Sequence, residues 1–481
     1  MIDLAPAGGP LACLGLAFLF AARGRGVRLV GLGLMLVGGC LLAVGLAPSQ
    51  QPGYLTALCI VSVIVCGIIG LALRRWPWAL AFATLALVPA RIPVHVGDSG
   101  AKLLLPLYLV AGGAAVQLFV ETLQGDERSQ ELGVIGPPLA AFALWSGLSL
   151  TWSSDVRAGA EELLAFYLPF GVLALGIARL PWSRRAFVWL GAELLVMGLA
   201  FAVVGLWQYR TRNIFQNPKV IYGNAYAPFF RVNSVFWDPS IYGRFLVVAI
   251  LAALVVVLRG RSVRNAAIAA AAVVVLWLGL LFSYSQSSFA ALIVAVAVAA
   301  VVVWGRRAGL AVALVVIVAG GLSLASPHVR STFVRHSKQG LNAGTGGRAG
   351  LVSTGLRIAA RNPVFGVGVG GFRQAYAART HLKGKEPKKA ASHTTAVTVA
   401  AESGVVGLVL FAWLALAALG AAFRWVGRSF EHAAMLAVAL AFVAILVHSF
   451  AYADFFEDPT TWALLGLVAL AAGTLERRRR A

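Results

Sequence analysis

Arg231, Arg348, His393 and Glu402 stand in stretches where their side chains could hold an anion and move a proton. His393 opens the stretch "HTTAVTVAAESGVVG" (393–407), where a basic segment runs into an apolar one. Imidazole accepts a proton near neutral pH, so a histidine there is either a general base or a polar helix end. Glu402 lies nine residues further on, inside the apolar run, where a carboxylate is expensive and usually paired. It either fixes a helix–helix contact or orients a polar group, and Gly404 and Gly407 admit a close neighbouring helix.

Arg348 follows the glycine-rich "GTGG" (344–347). The spacing predicts a helix from Arg348 to Arg361, ended by Asn362-Pro363. Its apolar stripe is expected at Leu351, Leu356, Ile358 and Ala359, with Arg348, Arg357 and Arg361 basic, and it is expected to lie at the membrane surface. A helix N-terminus carries positive partial charge, so a cation placed there makes sense when an anion binds alongside. The plainer reading is one basic residue at the start of a surface helix. The "GVGVGG" that follows (366–371) reads as a flexible turn; it lacks the preceding strand and following helix of a dinucleotide fingerprint.

Arg231 and Arg244 flank the turn "WDPS" in "RVNSVFWDPSIYGRFL" (231–246). Asp238 suits an N-cap, with Pro239 at the first helical position. Arg244 sits one turn into the next apolar run, where an arginine is paired, functional or snorkelling.

The elements that must position these residues are membrane helices. The chain has 481 residues, 60% of them hydrophobic and 12% charged, and apolar runs long enough to span a bilayer recur throughout. An all-α polytopic protein of about 12–15 spans is expected, as one transmembrane domain over 1–481. "MIDLAPAGGP" has no basic n-region, so a cleaved signal is not expected. Short basic connectors such as "RGRGVR" (23–28), "RLPWSRR" (179–185) and "RWVGR" (424–428) belong on the cytoplasmic side. The acidic "QGDERSQELG" (124–133) fits that scheme worst, since it falls on the same side.

Two long connectors, 208–238 and 326–393, then fall outside. The second holds twelve Lys/Arg and one acid, Glu386, which is half of the net charge of +22. Such a surface suits a lipid headgroup, a phosphate or a pyrophosphate; the charge does not call for nucleic acid. The four cysteines, Cys13, Cys40, Cys59 and Cys66, sit in apolar runs as packing residues and form no metal-ligand cluster.

Several of these stretches together resemble the O-antigen ligases and the related O-antigen polymerases. "SHTTAVTVAAESGVVG" resembles their His…Glu-x-Gly helix, although Thr394 stands where an Asn is common. "GGRAGLVSTGLRIAARNPVFGVGVGGF" resembles their external arginine helix and glycine turn, and "FRVNSVFWDPSIYGRFL" their other arginine motif. "WSSDVRAGAEELLAFYLPF" (152–170) and "HSFAYADFFEDPTTWALLGL" (448–467) are similar to further landmarks, while "SYSQSSF" (283–289) departs from the usual Ser-Arg pair. The resemblance runs from about Arg91 onward and leaves the first two or three spans as an extension.

It implies a glycosyltransferase of the C type with a large external loop, metal-independent and without cofactor, in the bacterial cytoplasmic (inner) membrane with its site outside; an inverting direct displacement is the simplest mechanism, since the sequence offers no paired external carboxylates suited to a retaining one. Its donor would be a glycan on undecaprenyl pyrophosphate, and its acceptor a glycolipid or glycan hydroxyl. Arg231 and Arg348 would hold the pyrophosphate and His393 would be the base, with Arg244, Arg357, Arg361 and Glu402 supporting. A transporter or flippase for lipid-linked sugars is the rival from another class; it would need membrane-embedded ionisable groups, for which Glu193 and Glu402 are the candidates.

Overall fold

A chain this apolar must satisfy its backbone within itself, and it does so almost entirely as helix. The computed structural model describes residues 4–46, 52–96, 99–126, 131–215, 217–226, 229–260, 262–325, 347–380, 392–424 and 429–480. The helices of the first half are α1 (Ala5–Ala21), α2 (Arg25–Leu46), α3 (Pro52–Arg75), α4 (Ala79–Leu87), α5 (Leu105–Leu123), α6 (Gly136–Ser149), α7 (Val156–Glu162), α8 (Leu168–Ala178), α9 (Arg184–Thr211) and α10 (Pro218–Tyr226). Those of the second half are α11 (Pro239–Arg259), α12 (Val263–Ser283), α13 (Gln286–Trp304), α14 (Arg306–Ala325), α15 (Arg348–Arg361), α16 (Phe372–Thr380), α17 (Thr395–Phe423), α18 (Phe430–Ser449) and α19 (Pro459–Arg480). Among the described residues, ten helical stretches are long and apolar enough to cross a bilayer. Helices also cover the apolar runs at 54–73, 308–325 and 460–475. The departure from helix is a two-stranded antiparallel ribbon, β1 (Ile92–Val96) against β2 (Ser99–Leu103), with Ile92 opposite Leu103. The expected loop 326–393 falls outside the described residues at 326–346 and 381–391.

Helix starts follow the polar residues of the connectors. The side chains of Asp155, Ser183, Asp238, Ser262, Ser285 and Ser429 each accept a backbone N–H of the first turn that follows.

Two apolar cores share α18. Met435, Ala439 and Phe442 face one core, built with α1, α6, α8 and α19. Leu436, Leu440 and Ala444 face the other, built with α9, α11, α12 and α13. α1 is therefore part of the core and not an appendage: Ala12, Cys13, Leu16 and Phe20 are buried, and Gly147 of α6 meets the Cys13 side chain.

The acidic connector now has a physical explanation. At the end of the bundle that carries the short basic connectors, Arg28 donates to Glu131 at 2.7 Å. Arg179 pairs with Glu121 at 2.9 Å and also with Asp126 and Glu131. The acids of 121–131 thus neutralise buried arginines from two neighbouring connectors, so all three connectors lie at one end.

At the opposite end α17 is broken. Gly404 takes φ 66°, ψ −165°, a region open essentially to glycine alone. The break frees the carbonyls of Ala401, Glu402 and Ser403. Val367 N–H donates to Ala401 O at 2.9 Å and Gly368 N–H to Glu402 O at 2.8 Å, while the Trp145 indole donates to Ser403 O at 2.9 Å. Beyond the break Val405 N–H donates to Pro363 O at 2.7 Å. The glycine turn 366–371 is therefore a docked plug and not a flexible turn. Its other side is held by Ser149, whose hydroxyl accepts from Val369 N–H at 3.1 Å, and by Ser153, which donates to Val369 O at 2.7 Å. A Cβ at Gly366 would lie 2.3 Å from the Glu402 carbonyl carbon. A helix does follow directly, α16, but no strand precedes, so the plug is no dinucleotide site.

Gly404→Ala should break this joint, because its Cβ would fall 2.0 Å from Val364 O. The strained backbone and the clash together should destabilise the protein by about 2–4 kcal/mol. Limited proteolysis should then cut between 347 and 380 faster than in the wild type; equal cleavage rates would sink the plug as a structural joint.

Candidate active site

Helix α15 has the ends that its sequence predicts, with Asn362 as C-cap. Its buried face differs. Leu351, Gly355 and Ile358 are buried, Ala359 is half-buried and Leu356 is 53% exposed. Gly355 is there for close approach: a Cβ would lie 2.6 Å from Val397 and 3.3 Å from the Ser392 side chain. Ile358 packs with Phe372 and Ala401. α15 therefore lies across the first turns of α17 instead of resting only on the membrane surface. Arg348, at its start and half-buried, is carried toward the protein, while Arg357 and Arg361 are exposed on the far side. Arg357, Arg361 and Arg379 of α16 repel one another there. They are not brought to the other site residues.

His393 precedes α17 in a left-handed backbone conformation, φ 63°. Such a conformation costs a non-glycine residue about 1–3 kcal/mol and persists only where its surroundings enforce it. Ser392 does so: its hydroxyl donates to Thr394 O at 2.8 Å, and its N–H donates to Thr398 Oγ1 at 3.2 Å. Thr394, where the resembling sequences commonly have Asn, donates its hydroxyl to Phe450 O at 3.1 Å. That bond ties the His393 turn to the segment 450–458. The His393 ring meets Tyr452 edge-on, with 6.2 Å between centroids.

Arg231 is also held by its backbone. Its N–H donates to Asn224 Oδ1 and its carbonyl accepts from Asn224 Nδ2, both at 2.9 Å. Its Nε donates to Ser283 O at 3.1 Å. Burial lowers the Arg231 pKa from its usual value; Asp238 opposes that shift and the charge of Arg348 adds to it. The charge of Arg348 thus reaches Arg231 from 117 positions away in sequence. Asp238 caps α11 as expected, accepting from Ser240 N–H at 2.7 Å.

Arg244 does not snorkel. It is 5% exposed and grips Asp454 through both carboxylate oxygens, at 2.6 and 2.7 Å, with Asp458 at 2.9 Å from its other terminal nitrogen. Burial raises the Asp454 pKa from its usual value; Arg244 opposes that shift and Asp458 adds to it. Arg244 is therefore a structural cation with both partners inside the protein. Glu402 spends Oε1 on the Phe372 N–H at 3.0 Å. It fixes the start of α16 to α17, the contact role among its two readings.

Three site residues were missed by sequence reasoning. His448, fully buried at the end of α18, shares a hydrogen bond with Ser287 Oγ at 3.0 Å. Tyr452 lies between the two histidines, with its ring centroid 5.5 Å from that of His448. Burial raises its pKa well above the usual value, and Asp238 and Asp454 add to this. Ser287 belongs to a buried hydroxyl cluster in which Ser285 Oγ lies 3.2 Å from Ser287 Oγ and 2.8 Å from Ser288 Oγ. The "SYSQSSF" and "HSFAYADFFEDP" stretches are thus the two walls of one site.

The comparison with known families bears on the class of protein that this geometry belongs to. Residues 271–412 match the model of the O-antigen ligase family. That segment of the chain is similar to the O-antigen ligase family. The matched segment includes the serine cluster, Arg348, His393 and Glu402, while Arg231, Arg244, His448 and Tyr452 lie outside it. No curated protein matches the chain. With ten apolar helices among the described residues, this match supports a multi-pass membrane protein of the glycan-assembly class, with glycan or lipid-linked substrates in general.

Proposed function

We propose that the protein moves a glycan from undecaprenyl pyrophosphate to an acceptor sugar hydroxyl at the outer face of the bacterial cytoplasmic membrane. One observation carries the reading: the His393 ring meets Tyr452, and the charges of Arg348 and Tyr452 both act on Arg231, whose Nε is fixed on Ser283 O. Burial and the charge of Arg348 together disfavour the Arg231 cation more than Asp238 supports it. A pyrophosphate, charged on both phosphates, matches the two arginines and accepts bidentate hydrogen bonds from each.

His393 takes the acceptor hydroxyl proton as the acceptor oxygen bonds to the anomeric carbon. The bond from that carbon to the pyrophosphate oxygen breaks in the same displacement, which inverts the configuration. The electron pair leaves with the pyrophosphate, whose charge the arginines stabilise without a metal ion. An acceptor on lipid A-core makes the protein a ligase, and a lipid-linked glycan acceptor makes it a polymerase. Both reactions use the same residues. A transporter reading draws less support: the carbonyls freed at the Gly404 break are taken by protein N–H groups instead of facing a substrate path.

Arg348→Ala removes one of the two pyrophosphate ligands. Donor binding by purified protein should weaken about tenfold or more, since hydrogen bonds to charged groups contribute roughly 1.5–3 kcal/mol. Titration of a lipid-linked donor measures it, and unchanged affinity would remove Arg348 from the pyrophosphate site.

A further inference from the structure

Beside Arg231 lies an open cavity of about 600 Å³ between the end of α9, α10 and the turn after α12. That volume falls within the ~300–1,000 Å³ of small-molecule sites. Tyr209, Arg212, Asn213, Asn224, Phe229 and Tyr284 line it. The Tyr209 ring stacks on Phe282 at 4.0 Å, and Phe229 stacks on Tyr284 at 4.8 Å. The Arg212 guanidinium lies 4.5 Å from the centre of the Tyr209 ring and 5.0 Å from that of Phe230. Arg212 and Tyr284 both adopt positive φ, 57° and 49°. These are the left-handed residues that end α9 and α12, so the two helix ends set the walls of the cavity.

The lining suits an amphipathic ligand. A lipid chain would place hydrocarbon against Asn213, Asn224 and Arg212, whose desolvation is costly. A free phosphate would find one guanidinium, already laid over two rings. A pyranose offers an apolar C–H face to aromatic rings and a rim of hydroxyls to amides and a guanidinium. The position is equally informative. Asn224, on the cavity wall, clamps the Arg231 backbone, and Ser283, whose carbonyl receives Arg231 Nε, precedes Tyr284 on the opposite wall. A sugar joined to a pyrophosphate held by Arg231 would begin at this cavity.

We infer that the cavity is a saccharide subsite that receives the glycan of the pyrophosphate-linked donor. This rests on the proposed function for the identity of the donor. Its chemistry selects for the carried sugars, whereas the arginines select for the carrier.

The test compares three probes on full-length protein in nanodiscs: undecaprenyl pyrophosphate without sugar, with one N-acetylglucosamine, and with a tetrasaccharide. Wild-type protein should bind the tetrasaccharide carrier most tightly. Phe229→Ala combined with Asn213→Ala should remove about tenfold of that affinity and leave the sugar-free carrier unchanged. Asn213 is exposed, so Asn213→Ala alone leaves the fold intact and should remove about threefold. Equal wild-type affinity for all three probes, or a uniform loss across them in the variants, would overturn the subsite. Arg348→Ala separates the two readings. If it spares the sugar-free carrier while the tetrasaccharide increment persists, the pyrophosphate assignment falls and the saccharide subsite stands.

Discussion

Replacing His393 with asparagine should lower glycan transfer by about 10²–10⁴-fold, the usual contribution of a positioned general base. Donor affinity should stay within about twofold of wild type, because the arginines that hold the pyrophosphate are untouched. Asparagine is the informative substitution. His393 sits at φ 63°, and asparagine tolerates that backbone better than alanine does. The turn through Ser392 and Thr394 should therefore persist, so a loss of turnover would report on the imidazole and not on the loop. Single-turnover transfer with saturating donor measures it. Transfer at the wild-type rate would remove His393 from catalysis, and loss of donor binding together with transfer would make its role structural.

What was legible in the sequence was local. Asp238-Pro239 marked the start of α11, and Arg348 to Asn362 marked both ends of α15, because caps and proline act over one or two turns. The stripe of α15 was misread at Leu356. Five residues from Leu351 is about 140° around a helix, so Leu356 points away from the face that Leu351, Gly355 and Ile358 share. Gly404 was read as a packing residue, since one glycine in an apolar run gives no sign of its φ and ψ. His448 and Tyr452 were invisible as site residues for another reason. Their role depends on Ser287, 161 positions away from His448, and on His393, and only the packing of α13, α17 and α18 brings these together. The charge scheme was legible in part: the basic connectors indicated one end of the bundle, but the acids of 121–131 became intelligible only once Arg28 and Arg179 were seen to bind them.

Arg244→Ala should destabilise the protein by about 3–5 kcal/mol, more than any other single charge removal at this site. The substitution strips two buried carboxylates, Asp454 and Asp458, of the cation that both of them face. Arg244→Lys should recover little, since an ammonium cannot hold both oxygens of Asp454 and reach Asp458 with a separate nitrogen. The neutral combination of Arg244→Met, Asp454→Asn and Asp458→Asn should regain most of the lost thermal stability, because an uncompensated charge and not a missing contact causes the loss. Transfer activity should not return with it. The segment 450–458 carries Tyr452 against His393 and accepts the Thr394 bond through Phe450, and the Arg244 ion pairs fix that segment to α11. Amide and thioether groups restore neutrality without restoring that geometry. Thermal unfolding and transfer rate measured on the same preparations separate the two effects. If the triple variant recovers both together, Arg244 serves stability alone, and the coupling from α11 through Asp454 to His393 is absent.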